Sequence, residues 1–176
     1  TGKMITRDNP PIQGKQSLAK GSSIALVSPV EFATSSWRRA VLELEEHQKA
    51  WLLWCYGGNI CWEHQIAITQ WGWSEFKTQS GSRKIAVKTL ERVKKLIWLA
   101  AQDVRGWVTG CEVYQRQELA RLCGVKPDNW SHNYANYWRE MCDIFKRLDR
   151  ESLICSVKIR AQQKATFSRR DIAKVN

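Results

Sequence analysis

The chain has 176 residues, 43% of them hydrophobic, and carries 28 Lys and Arg against 17 Asp and Glu, which gives a formal net charge of +11. This length and composition fit one packed domain, and the positive charge favours polyanionic partners that bind in a salt-sensitive way. The sequence has no recognisable signal peptide and no apolar run long enough to span a membrane, so we expect a cytoplasmic protein without a membrane partner, whose six cysteines are reduced thiols.

The beginning of the chain is predicted to be a flexible arm. Residues 1–33 are rich in the Pro, Gly and Ser residues that favour loops. Within this arm, Thr1–Lys3 precede Met4 and resemble a remnant of a cloning tag, so the fold prediction leaves them out. The arm is followed by a predicted helical domain over residues 34–157 and a basic tail over residues 158–176.

Three amphipathic helices are predicted in the first half of the domain. The first runs from residue 35 to about 55. The second spans residues 60–76, with Trp62 and Ile66 on its apolar face, and the third runs from residue 83 to about 108. Strand signals are scarce throughout the chain. The sequence therefore predicts an all-α, compact helical domain.

The third predicted helix carries a row of basic residues opposite its apolar face. The members of this row are Lys84, Lys88, Arg92 and Lys95. Such a row favours contact with nucleic-acid phosphates, and the sequence leaves open whether these belong to nascent RNA or to the DNA backbone. The simpler alternative is an ordinary solvated helix face.

Residues 115–148 have the pattern of a helix-turn-helix. A short first helix presents Leu, Ala and Cys inward, and Gly124 follows it where a left-handed backbone favours glycine. Pro127 suits the first turn of the next helix, since the donors there are unpaired anyway. Apolar residues then recur at helical spacing from Trp130 to Leu148, which predicts a buried face on the second helix.

The opposite face of that second helix is polar and is the predicted DNA-binding surface. Its members, with the turn residue before it, are Lys126, Asp128, Asn129, Ser131, His132, Asn133, Asn136 and Arg139. Asn and Ser side chains can read base edges in the major groove, and a helix N-terminus can approach a phosphate. This pattern makes residues 34–157 a predicted DNA-binding domain. The alternative is a helical hairpin with a solvated polar face.

The sequence contains no arrangement typical of an enzyme. It has no phosphate-binding Gly-rich loop, no Gly-x-Ser-x-Gly and no His-Glu-x-x-His, so we predict neither catalysis nor a cofactor. A zinc site formed by Cys55, Cys61 and His64 is the one metal alternative, and its spacing matches no common zinc finger. We therefore predict no metal.

Several segments between Trp37 and about Ser156 carry a resemblance to a known family. The most specific are Trp54-Cys55-Tyr56-Gly57 and Gly124-Val125 followed by Trp130-Ser131-x-Asn133-Tyr134. The pattern resembles the antitermination protein Q family of lambdoid phages, in the branch like that of phage 21. The branch like that of phage lambda carries a Cys-rich zinc element that this sequence lacks, so the resemblance implies no metal.

The resemblance implies a mechanism. Such proteins bind a DNA element near the phage late promoter. The sequence leaves open whether one or two copies of the protein bind each site. They load onto bacterial RNA polymerase that is paused with its sigma factor still engaged, and they make it read through pauses and terminators. The phage 21-like branch implies obstruction of the RNA exit channel, and thus nascent RNA as a further partner.

Two other classes remain open from the sequence. One is a helix-turn-helix phage repressor or activator that acts without travelling with polymerase. The other is a helical interaction protein whose charge only aids solubility.

Overall fold

The computed structural model describes residues 35–111 and 114–175, with side chains as far as Arg169. Every regular element within these residues is helical, which confirms the predicted all-α class. The helices pack around one hydrophobic core. The predicted arm, residues 1–33 with the tag-like Thr1–Lys3, lies outside the described residues.

The first predicted helix is in fact two helices, α1 (Ser35–Leu42) and α2 (Glu46–Cys55). A tight turn separates them, because Leu44 donates its backbone N–H to the Val41 carbonyl at 3.2 Å and Glu45 is extended, with φ −55° and ψ 149°. The turn changes the direction of the chain, and in α2 the side chains on more than one face are buried by other elements. A periodicity argument, which assumes one buried stripe, misses such a break.

The next helix, α3 (Trp62–Ser80), buries one stripe at intervals of four residues, formed by Ile68, Gly72, Phe76 and Ser80. The predicted inward facing of Trp62 and Ile66 is wrong, since their side chains are 69% and 37% exposed. Both residues lie off the buried stripe, near the start of the helix.

Gly72 lies in the interior of α3, where glycine ordinarily weakens a helix. A Cβ atom at this position would lie 2.5 Å from the Phe145 ring, which is fully buried in the core. The glycine therefore permits a close approach between α3 and the aromatic side chain of the last helix.

The third predicted helix begins four residues later than expected, as α4 (Val87–Thr109). The delay has a physical cause. Arg83 donates two hydrogen bonds to the Glu140 carboxylate, at 2.8 and 2.7 Å, and a third to Ser80 Oγ, and these hold its segment as a loop. Lys84 consequently lies in this loop and not on the helix with Lys88, Arg92 and Lys95.

Two further helices complete the fold. The short α5 spans Arg116–Cys123. The last helix, α6, is continuous but has three segments: α-helical Pro127–Asn129, π-helical Trp130–Tyr134 and α-helical Ala135–Val175. The final segment alone has 41 residues and is about 60 Å long. The residues predicted as a separate basic tail lie within it as far as Val175.

Helix α6 contacts α1, α2, α3 and α4 and is the centre of the packing. The prediction ended the helix-turn-helix at Leu148, before the polar residues 149–152. In the structure Asp149, Ser152 and Ser156 point inward and are at most 5% exposed. The helix therefore continues past a polar stretch that is buried and not a loop.

The buried Asp149 joins α6 to α2. Its Oδ1 atom accepts hydrogen bonds from Trp51 Nε1 at 2.8 Å and from the Tyr56 hydroxyl at 3.0 Å. Burial raises the pKa of this carboxyl, and the two hydrogen bonds act in the opposite direction. Burial, followed by the charge of Asp149, also raises the pKa of the Tyr56 hydroxyl.

Replacing Asp149 tests the contribution of these hydrogen bonds to stability. We expect Asp149→Ala to lower the free energy of unfolding by roughly 2–4 kcal/mol, because it leaves two buried donors without an acceptor. Asp149→Asn is the matched control, since its amide oxygen can accept both bonds, and its loss should be much smaller. Urea unfolding of the three proteins measures the difference, and equal losses in both variants would contradict the assignment.

The pH dependence of the same three proteins has a defined sign. Because the pKa of Asp149 is higher in the folded than in the unfolded state, its protonation favours folding. The stability that this group contributes is fully present below the unfolded pKa and is lost as pH rises through the folded pKa. The Asp149→Asn side chain does not titrate. As pH rises from the unfolded to the folded pKa of Asp149, the wild type should therefore lose stability relative to the Asp149→Asn variant.

Candidate nucleic-acid interface

The turn between α5 and α6 is closed by two backbone hydrogen bonds. Gly124 has φ +72° and donates its N–H to the Arg121 carbonyl at 3.0 Å, and Val125 donates to the Ala120 carbonyl at the same distance. This is the Schellman arrangement, which satisfies carbonyls at a helix end and needs a left-handed residue. The turn is therefore built where the glycine and valine of the sequence indicated it.

The second helix of this pair begins at Pro127, as predicted. Lys126 precedes it with an extended backbone, at φ −69° and ψ 150°, and its side chain makes no capping hydrogen bond. Asp128 lies in the first turn, where the partial positive charge of the helix N-terminus favours a carboxylate. The first turn thus leaves backbone N–H groups uncapped by a side chain beside exposed polar residues.

The segment Trp130–Tyr134 has π-helical geometry, in which the Ala135 N–H bonds to the carbonyl of Trp130 five residues earlier. The rings of Trp130 and Tyr134 are both buried and stack with their centres 6.3 Å apart. Trp130 therefore faces the core, as its position on the predicted apolar face required. The wider turn also changes the angles at which the intervening polar residues leave the helix.

The predicted polar row is on the surface. Ser131 is half-buried. The other members are exposed, namely Lys126, Asp128, Asn129, His132, Asn133, Asn136 and Arg139. The structure therefore brings these residues together on one side of the first four turns of α6.

Hydrogen bonds within the row hold several of these side chains in place. Asn133 Nδ2 donates to Asn129 Oδ1 at 2.6 Å, and Arg139 donates to Asn136 Oδ1. The Ser131 hydroxyl donates to the Pro127 carbonyl at 2.9 Å and accepts from Arg116 of α5. An ordered polar row loses less side-chain entropy when it binds a partner.

A polar groove of about 530 Å³ runs beside this row. Its lining residues are Arg83, His132, Asn133, Asn136, Tyr137, Arg139, Glu140 and Asp143. The ion pair between Arg83 and Glu140 closes one side, and the hydrogen bonds from Arg83 lower the pKa of the Glu140 carboxyl. The groove thus combines Arg139, the neutral Arg83–Glu140 pair and Asp143.

The basic residues of α4 lie beside the same helix pair. Arg92 donates a hydrogen bond to the Tyr134 hydroxyl at 3.3 Å, and this bond raises the pKa of its guanidinium. Burial raises the pKa of Cys123 at the end of α5, while the positive charges of Arg92 and Lys95 oppose that shift. Both basic residues are therefore close to α5, and Lys88 lies one turn before Arg92.

The sequence analysis missed three residues that belong to this region. Arg116 holds Ser131, Arg83 borders the polar groove, and the Tyr134 hydroxyl receives Arg92. The contacts of Arg83 with Glu140 and of Arg92 with Tyr134 join residues 57 and 42 positions apart, and that of Arg116 with Ser131 joins two consecutive helices, so the spacing within one helix carries no signal for them.

A separate apolar groove of about 400 Å³ lies between α3 and α4. Trp62 and Ile66 of α3 and Trp98 of α4 line it, and Ile60, which is 72% exposed, lies in the loop before α3. Arg105 lies in an adjoining cavity that shares Trp98 with it. Exposed large apolar side chains gathered in this way are typical of protein-binding surfaces.

The alternative zinc site is not assembled. Among the described residues, no three His, Cys, Asp or Glu side chains come together as a metal site would require. Cys55 is buried, whereas Cys61 is half-buried and its thiol donates a hydrogen bond to the Glu63 carboxylate at 2.5 Å. None of the described helices combines the length and apolar character that crossing a bilayer requires.

Comparisons with known proteins place these features in context. A family model described as "Phage antitermination protein Q" matches residues 1–173. The chain is also 64% identical over 176 residues to "Antitermination protein Q" of Enterobacteria phage 82, an alignment that covers 100% of this chain and 77% of that protein. No solved structure matches the chain.

Proposed function

Because this chain belongs to the phage antitermination protein Q family, we propose that it binds a DNA element near a phage late promoter and loads from there onto bacterial RNA polymerase. Its membership in the family makes it a factor in bacteriophage transcription antitermination. In the proposed mechanism it binds polymerase while sigma is engaged, in the cytoplasm of the host. It then travels with polymerase and obstructs the RNA exit channel, which prevents terminator hairpins from forming. No catalytic step and no cofactor are part of this mechanism.

The observation that carries the DNA-binding proposal is the exposed polar row that follows a three-residue turn. The first turn of α6 presents uncapped N–H groups, and Asn129, His132 and Asn133 follow on the same exposed side. Amide side chains can make paired hydrogen bonds to adenine in the major groove, and a helix N-terminus is suited to a phosphate. This arrangement supports the insertion of α6, by its N-terminal end, into the major groove.

The apolar groove between α3 and α4 supports a protein partner. Its aromatic side chains gain little from contact with DNA phosphates, whereas Trp is among the residues that contribute most at protein interfaces. Trp62 belongs to α3, whereas the polar row belongs to α6 and the turn before it. We propose that this groove contacts polymerase while the polar row holds DNA. The number of copies on the DNA is not part of the proposal.

The direct test of the function is transcription in vitro. Purified bacterial RNA polymerase holoenzyme transcribes a template with the phage late promoter and a strong terminator, with and without this protein. We expect the protein to raise terminator readthrough on this template but not on one with an unrelated promoter. A repressor or activator that stays on its site would bind the DNA and leave readthrough unchanged, which would overturn the proposal.

Base recognition is tested with Asn129→Ala and Asn133→Ala. Each variant should weaken binding to the late-promoter duplex by roughly 1–3 kcal/mol, because it removes an amide that can pair with a base and frees its neighbour from their shared hydrogen bond. We expect both variants to keep their fold, since both residues are exposed. Gel shifts measure the affinity, with Gln70→Ala, an exposed residue of α3, as the control. Wild-type affinity in both Asn variants would reject this face as the reading surface.

Polymerase binding is tested with the double variant Trp62→Ala and Ile66→Ala. Loss of two exposed apolar anchors should weaken capture of polymerase holoenzyme by about tenfold or more. DNA gel shifts should be unchanged. Leu42→Ala is the control, because Leu42 is 67% exposed on α1, outside this groove. Undiminished capture by the double variant would exclude the groove as the polymerase contact.

A further inference from the structure

We infer that the basic face of α4, formed by Lys88, Arg92 and Lys95, contacts the phosphate backbone of the same DNA duplex that α6 reads. This inference rests on the proposed DNA binding and assigns a partner to a surface for which the sequence left RNA and DNA open. Lys84, in the loop before α4, is outside this face.

The first argument is the direct link between the basic face and the reading helix. Arg92 donates its hydrogen bond to Tyr134, and Tyr134 follows Asn133 in the π-helical segment. The Arg92 guanidinium therefore lies against the same π-helical segment that carries the exposed Asn133, and we expect the backbone of a duplex seated on Asn133 to pass near it. Phosphate contacts of this kind fix the register of a protein on DNA without reading sequence.

The second argument is the continuity of positive charge around the helix pair. The charges of Arg92 and Lys95 act on Cys123 at the end of α5. On the far side of that helix end, Arg121 and Lys126 line a shallow cavity of about 430 Å³ beside the turn. Basic side chains thus border the turn on two sides, as expected of a surface that holds backbone phosphates on either side of a groove.

The third argument is the asymmetry of α4 itself. Lys88, Arg92 and Lys95 recur at intervals of four and three residues, so they share one edge of the helix. Lys94 is turned to the other edge, where its Nζ lies 6.0 Å from the centre of the Trp73 ring of α3. The side of α4 that faces the helix pair is therefore basic, and the opposite side borders the aromatic residues of α3.

This asymmetry supplies a matched pair for the experiment. Lys95→Ala and Lys94→Ala remove the same charge from neighbouring exposed positions, and only Lys95 belongs to the basic face. Binding to a late-promoter duplex is measured at a series of salt concentrations. We expect Lys88→Ala and Lys95→Ala each to reduce the slope of log affinity against log salt by about 1, and Lys94→Ala to leave it unchanged.

Arg92 needs a control of its own because it also holds Tyr134. Tyr134→Phe removes the hydrogen bond and keeps the guanidinium charge. We expect Arg92→Ala to reduce the salt slope by about 1 and Tyr134→Phe to keep it. Melting temperatures measured in parallel identify any variant that loses its fold. If Arg92→Ala does so, the salt slopes of Lys88→Ala and Lys95→Ala, both at exposed positions, decide whether the basic face contacts DNA.

The possible outcomes separate this inference from the proposed function. If wild type fails to bind the duplex, both fall together. If wild type binds and Lys88→Ala and Lys95→Ala keep its salt slope, the inference alone is overturned. In that case, lower terminator readthrough with weaker binding to a single-stranded RNA would assign the face to RNA, and no change in either would make it a solvated surface.

Discussion

One buried carboxylate connects the two halves of the domain. Asp149 lies on α6 and receives hydrogen bonds from Trp51 of α2 and from Tyr56, which directly follows α2. Its burial is costly for an ionisable group, and the two donors compensate part of that cost. The same contact sets the position of α6 against α2, where Trp51 also stacks on Phe145 at 5.6 Å. Every surface discussed above is carried by α6 or by helices packed around it.

Local signals in the sequence were sufficient where local chemistry decides the structure. The turn at Gly124 and the helix start at Pro127 were predicted because a left-handed position and a missing N–H act within a few residues. Predictions failed where a distant element decides. The side chain of Trp62 is exposed because none of the helices described between residues 35 and 175 covers it. Asp149 is helical and points inward because Trp51 and Tyr56 donate hydrogen bonds to it.

The candidate site shows the same division. The members of the polar row could be predicted because one helical period orders them around α6. Their relation to α4 could not, because it depends on the contact between Arg92 and Tyr134, which are 42 residues apart. The π-helical geometry of Trp130–Tyr134 could not be predicted from the sequence either. Two buried aromatic residues four positions apart fit an α-helix as well as a π-helix.

The length of α6 has a mechanical consequence. One unbroken helix joins the polar row to the opposite end of the domain, where Arg160 lies over the Trp37 ring at 4.8 Å and bonds to Ser36 of α1. In a stiff rod about 60 Å long, a tilt of about 10° at one end displaces the other by about 10 Å. Because α6 is packed against α1, α2, α3 and α4, a tilt of its first turns would carry the whole domain with it. If those turns hold a duplex as proposed, the orientation of the duplex also sets the direction in which the far end of α6 points.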